Sequence, residues 1–169
     1  MVFTLSEIHA GWALARIGAG NKVVAISASS TPKDVLRDFI DAVQSLVTTD
    51  RADCCWFQEP GEMHWRFRRR SAKLEIEILA FDHVSCPGCR GDGGKSVFAV
   101  QTDWLSFAEQ VRSAFASLLN LGAKKYELAW HYAFPTEAFD KLDRAIRDQA
   151  ILTDGARASN KAMHKARYK

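Results

Sequence analysis

Cys86-Pro87-Gly88-Cys89 is the sharpest chemical pattern in this chain. A Cys-x-x-Cys turn is how a zinc knuckle offers two thiolates to one ion, and His83, three residues upstream, adds a donor of a kind that zinc accepts. A closed structural site needs a fourth ligand, and the sequence holds no second Cys-x-x-Cys. Cys55, His64 or His131 could fill that place only if the fold brings one of them near. A redox dithiol is a second reading of the same pair. It is disfavoured because Gly91-Asp92-Gly93-Gly94 follows, where a thiol-activating helix N-terminus would have to stand. The plain alternative is a surface turn with two free thiols.

Other patterns carry less. The basic run Arg66, Arg68, Arg69, Arg70 and Lys73 could meet nucleic acid, but RNA recognition wants aromatic rings interleaved on the same face as the cations. Strand alternation puts Trp65 and Phe67 opposite Arg66 and Arg68, and Glu75 and Glu77 then neutralise part of the patch. A solvated, self-paired sheet face is expected, with nucleic acid disfavoured. Glu59 and Glu62 flank a Pro-Gly turn and could be read as an acid/base pair; with no adjacent nucleophile they are expected to be solvent-exposed turn carboxylates. Gly91-Asp92-Gly93-Gly94-Lys95 lacks the spacing of a phosphate loop and leads into a strand. The five histidines are scattered, with neither an H-x-x-x-H pair nor a G-x-S-x-G elbow. His131, between Trp130 and Tyr132, is expected to be a partly buried aromatic neighbour. The sequence therefore assembles no catalytic set, although an active site without a motif stays open as an alternative.

Trp12 and Leu14 matter for a different reason. In Trp12–Ile17 neither alternate row is polar, so the strand either lies between helices on both sides or exposes Trp12 and Leu14 to a partner. Together with Arg66 and Arg68 they are the candidate partner-binding residues.

The elements that must position these residues follow from periodicity. Runs at 3–8, 12–17 and 22–28 alternate like strands, broken by Gly11 and by Gly18-Ala19-Gly20-Asn21. Thr31-Pro32-Lys33-Asp34 then opens a helix, with Thr31 as the expected cap. Val35, Leu36, Phe39, Ile40, Val43, Leu46 and Val47 give that helix one wide apolar face. Strands at 53–58, 63–70, 72–81 and 96–101 come next. A loop centred on Arg70-Ser71 would set Phe67 against Leu74, Trp65 against Ile76, Arg66 against Glu75 and His64 against Glu77, and would leave Arg68 unfavourably against Lys73. A turn at Pro60-Gly61 would set Trp56 beside Trp65 and Cys54 beside Phe67. A capping box at Ser106–Glu109, with Phe107, Val111, Phe115, Leu118 and Leu119 at helical spacing, predicts a helix ending at Gly122. A short helix over 124–130 and another from Pro135-Thr136 complete the chain. The expectation is an α+β fold: a mostly antiparallel sheet of six to seven strands, ordered β-β-β-α-β-β-β-β-α-α, with helices packed on one face.

At 169 residues with 47% apolar and 25% charged residues, the chain has the composition of one globular domain rather than a disordered or disulfide-stapled one. No apolar run is long enough to span a bilayer. The net charge of +3 is uneven: the last fifteen residues hold five cations and no acid, so the rest carries −2. A single domain over 1–153 followed by a basic, fraying tail over 154–169 is expected. The start of the chain does not read as a signal peptide, and four cysteines, two of them adjacent, do not make a framework. A cytoplasmic location with reduced thiols is expected.

Gly11-Trp12-Ala13, Ile26-Ser27-Ala28-Ser29 and the segment Cys54–Phe67 resemble a family of small uncharacterised bacterial proteins that carry a W-x-x-E-P-G-E-x-x-W-x-F hairpin after a similar helix. The resemblance extends to Phe107 and to Tyr126–Pro135, about three quarters of the chain, and implies no activity or catalytic residues. It does not include a regular Cys-x-x-Cys in the loop over 82–95. The functional expectation is a cytoplasmic, non-enzymatic interaction protein of the immunity type, neutralising a partner toxin. Its partner is another protein or a second copy of the chain, with no membrane and no cofactor. The alternative is a small zinc- or ligand-binding domain using Cys86, Cys89 and His83.

Overall fold

The computed structural model describes the backbone of residues 1–83 and 93–166, and the side chains of those up to residue 152. Seven strands form one antiparallel sheet in chain order: β1 (Val2–His9), β2 (Trp12–Ala19), β3 (Lys22–Ser29), β4 (Arg51–Phe57), β5 (Glu62–Arg70), β6 (Lys73–Phe81) and β7 (Lys95–Asp103). The helix α1 (Val35–Ser45) joins β3 to β4, and α2 (Trp104–Leu119), α3 (Ala123–Trp130) and α4 (Thr136–Ala166) follow β7. This is the expected α+β architecture, with the helices on one face. Helix α4 runs past residue 153, where the sequence turns basic.

The covered face is built on rings. Phe39, on the apolar stripe of α1, sits at its centre, with ring centroids 5.3 Å from Phe3, 5.1 Å from Trp56 and 5.0 Å from Trp65. Phe67 and Phe107 close the cluster at 6.0 and 6.5 Å from Phe39. Phe3 on β1 and Trp65 on β5 share this cluster although three strands separate theirs, so the sheet curls around α1 and α2. Strands β3 and β4 meet at one residue pair, Ser29 with Phe57, which divides the sheet into a three-strand and a four-strand meander.

Strand register departs from expectation by two residues in both central hairpins, while the assignment of faces holds. The β5–β6 turn is Ser71-Ala72, not Arg70-Ser71; Ser71 takes φ +56°, the conformation that a two-residue hairpin turn demands. Phe67 therefore opposes Ile76, and Trp65 opposes Ile78. Arg68 opposes Glu75 and Arg66 opposes Glu77, which removes the unfavourable Arg68–Lys73 pairing. In the β4–β5 turn the amide of Gln58 donates to the carbonyl of Gly61 at 2.7 Å, so Phe57 pairs with Glu62, Trp56 with Met63 and Cys54 with Trp65. Trp56 and Trp65 become diagonal neighbours, their centroids 5.0 Å apart and both fully buried.

Two helices begin at aspartates rather than at the expected hydroxyls. Asp34, not Thr31, caps α1 by accepting from the amide of Arg37 at 3.2 Å; Asp103, not Ser106, caps α2 by accepting from the amide of Ser106 at 2.9 Å. Asp34 stands directly before α1 where Thr31 is three residues further out, and Asp103 starts α2 early enough that Ser106 falls inside its first turn; each carboxylate favours the positive end of the helix dipole. Asp34 also accepts from the Trp130 indole N–H at 2.8 Å, which ties α3 to the start of α1.

At the same C-terminal end of α3, the amide of Gly11 donates to the carbonyl of Ala129 and the amide of Ser30 to that of Gly11, both at 2.7 Å. Gly11 has φ +79°, and a Cβ there would stand 2.7 Å from the Ser30 hydroxyl and 2.9 Å from the His131 ring, so only glycine fits. His131 is exposed rather than partly buried, because it ends α3 in the left-handed conformation that turns its ring off the helix.

Candidate functional site

The face of the sheet turned away from the helices carries the functional candidates. Ala13, Ala15 and Ile17 point to the core, so Trp12 and Leu14 lie on the face without helices, half-buried, and the strand is not held between helices on both sides. Directly paired residues share a face, and this lets the open side be read in rows across the strands. One row runs Trp12, Ser29, Phe57, Glu62, Phe81, and the next runs Cys55, His64, Leu79. In the following two rows Arg66 faces Glu77 and Arg68 faces Glu75; with Ala99 and Gln101 they line a shallow groove of about 530 Å³. Arg66 and Arg68 are thus brought together, three strands away from Trp12 and Leu14.

Arg69 leaves the basic run altogether. Its guanidinium donates to the carbonyl of Leu46 at 2.6 Å, the carbonyl of Ser71 at 2.8 Å and the Gln149 amide oxygen at 3.3 Å, and lies 4.4 Å from the ring centre of Trp104. Burial lowers its pKa, with the nearby Asp103 carboxylate acting in the opposite sense. It is a structural clamp that joins α1, α2 and α4 to the end of β5.

The middle of the open face gathers a thiol, a carboxylate and an imidazole. Cys55 on β4 is directly opposite His64 on β5, and Glu62 lies two residues from His64 on the same side of the strand. The Glu62 carboxylate accepts from the Cys55 thiol at 3.4 Å and lies 2.8 Å from His64 Nε2. Ligand atoms of the three side chains all lie within 4.8 Å of one another. Glu62 is only 2% exposed, so the reading of it as a solvated turn carboxylate is overturned; Glu59 alone stays exposed. Pairing with Phe57 and Phe81 turns Glu62 into the sheet, whereas Glu59 stays in the loop. Burial, then the charge of Glu62, pushes the Cys55 thiol up to about 12. Cys54, on the helix-covered side, is also raised, by burial first.

Apolar surface frames this cluster. The rings of His64 and Phe81 are 4.4 Å apart, and Gly94 packs so closely that a Cβ there would meet the Phe81 ring at 2.5 Å and Leu79 at 3.0 Å. His83 is described and exposed, just beyond the end of β6; Cys86 and Cys89 lie outside the described residues. The register explains why the cluster is hidden in the sequence. With Trp56 set against Trp65, Cys55 would oppose Arg66, and only the observed slip of two brings it to His64. Parity alone places Glu62 and His64 on one side, and that was the available signal.

Among the described residues, no helix is long and apolar enough to cross a membrane. The chain matches no family model, no curated protein and no solved structure.

Proposed function

We propose that this chain is a non-enzymatic interaction protein that engages a partner protein through the helix-free face of its sheet. It would act as immunity proteins do, by occupying a toxin, in the reducing cytoplasm where Cys54 and Cys55 stay as thiols. One observation carries the reading: Trp12 and Leu14 stand on the uncovered side of β2, where an aromatic anchor and an aliphatic neighbour form the kind of centre on which interfaces depend. The Arg66–Glu77 and Arg68–Glu75 rows supply a mixed-charge rim. Nucleic acid fits this face less well, because Trp65 and Phe67 are buried on the other side.

Affinity capture from the source cells, comparing the native protein with Trp12→Ala/Leu14→Ser, tests this. The expected result is one protein recovered stoichiometrically with the native chain and lost with the double variant, whose circular dichroism is unchanged. A chain recovered alone, or a partner retained by the variant, refutes it.

A zinc-binding domain using Cys86, Cys89 and His83 is the second reading. What favours it is that β6 ends at Phe81, directly opposite Glu62, two residues before His83, so that this end of the strand lies beside a cluster of further donors. Zinc analysis of Cys86→Ser/Cys89→Ser against the native protein tests it: the reading predicts loss of bound metal.

A further inference from the structure

We propose that Cys55, Glu62 and His64 themselves form a site for a divalent transition metal of the zinc class, with the fourth position open to water. The inference does not depend on partner binding or on the loop cysteines.

Geometry is the first support. Bond lengths of about 2.3 Å to sulfur and 2.0–2.1 Å to nitrogen or oxygen put the ligand atoms of a tetrahedral ion about 3.3–3.5 Å apart. Cys55 Sγ is 3.4 Å from Glu62 Oε2 and His64 Nε2 is 2.8 Å from Glu62 Oε1, with the ligand atoms all within 4.8 Å of one another, so one carboxylate oxygen has to turn to serve both neighbours. A carboxylate oxygen makes that movement by a small rotation. All three donors stand on paired strands, the rigid support that a preorganised site requires.

Charge balance is the second. Glu62 is almost completely buried, and a buried carboxylate requires a partner charge. In the metal-free protein its two oxygens meet the Cys55 thiol and the His64 imidazole. A thiolate and a carboxylate together carry two negative charges, which a divalent cation neutralises while His64 coordinates as the neutral ring. The donor set of one sulfur, one nitrogen and one oxygen suits zinc and cobalt and disfavours calcium and magnesium, which take oxygen ligands. The second observation that sets this cluster apart from an ordinary His–Glu pair is the thiol aimed at the same carboxylate from the neighbouring strand.

The test uses the full chain carrying Cys86→Ser/Cys89→Ser, purified with a non-chelating reductant. Zinc content, competition against a chromophoric chelator, and the thiolate-to-metal charge-transfer band on cobalt addition are measured. One equivalent of zinc and a charge-transfer band are expected. Adding Cys55→Ser should abolish the band, and Cys55→Ser or His64→Ala should weaken zinc by more than about a hundredfold, beyond what loss of an outer-shell partner costs. Zinc should raise the melting temperature of the parent and leave that of the Cys55→Ser protein unchanged, a readout that does not require Glu62 variants to fold. No metal bound by the parent, or undiminished binding after Cys55→Ser, overturns the proposal.

Discussion

Removing the Arg69 side chain should be among the most damaging changes outside the ring cluster. Arg69→Ala deletes two short bonds to backbone carbonyls, one of them at the C-terminal end of α1, a longer one to Gln149, and a guanidinium lying on Trp104. Hydrogen bonds from a charged donor contribute about 1.5–3 kcal/mol each when buried, and stacking on the indole adds about 0.5–1 kcal/mol. Arg69 is only half-buried, so solvent replaces part of this; taking the low end for the two short bonds gives about 3 kcal/mol. In a domain of this size that is a fall of roughly 6–12 °C in melting temperature. Arg69→Lys should recover less than half, because one ammonium cannot reach carbonyls of two different elements at once. Urea unfolding followed by tryptophan fluorescence measures both variants, and the slope should be unchanged. A loss below about 1 kcal/mol for Arg69→Ala, or full recovery by lysine, refutes the clamp.

Gly11→Ala should cost about 1–3 kcal/mol, from its positive φ and the Cβ contacts with Ser30 and His131; thermal unfolding within error of the native protein would contradict the close approach. Asp34→Ala removes both the α1 cap and the Trp130 acceptor and should destabilise by about 1–3 kcal/mol, while Asp34→Asn, which keeps an acceptor oxygen without the charge, should cost much less. Burial raises the Asp34 carboxyl above its ordinary 3.8, so the native state holds that proton more tightly than the unfolded chain. Its contribution is present below 3.8 and lost as pH rises through the higher native value, a slope that Asp34→Asn should abolish. A thiol with a pKa of about 12 has a thiolate fraction near 10⁻⁴ at about pH 8, so Cys55 in the metal-free protein should alkylate roughly a thousandfold more slowly than in the denatured chain; equal rates would refute the burial argument.

Much of this fold could be read from residue pattern because both kinds of element declare themselves by periodicity. Met63, Trp65 and Phe67 alternate on β5, and Val35, Leu36, Phe39, Ile40 and Val43 recur along α1; both sets are on the side the pattern assigned. What the pattern leaves open is translation along a strand. Alternation constrains register only to steps of two, and the turn chooses among those steps. Ser71 at positive φ is a choice that a search for glycine or asparagine passes over, and the Pro60-Gly61 signal marks a turn without fixing that it closes from Gln58 to Gly61. The caps are a case of competition between neighbours: Asp34 and Thr31, like Asp103 and Ser106, could each start a helix. The site suffers most from this ambiguity. Whether Cys55 faces His64 or Arg66 depends on that single step, and Glu62 changes from turn carboxylate to buried group with it.

The order of the strands in space, identical to their order along the chain, has a consequence for how the protein assembles. Each hairpin closes over a short stretch, so the sheet can grow by successive local pairings and the entropy lost per step stays small. The demanding event is the return of the second and third helices to the first strand. There the amide of Phe3 finds Gln110, 107 residues away. Joining ends that far apart costs about 2 kcal/mol more than closing a loop of about ten residues. That late docking step, rather than strand pairing, should set the folding rate, and substitutions at Gln110 or Gly11 should slow it more than changes in the β5–β6 turn.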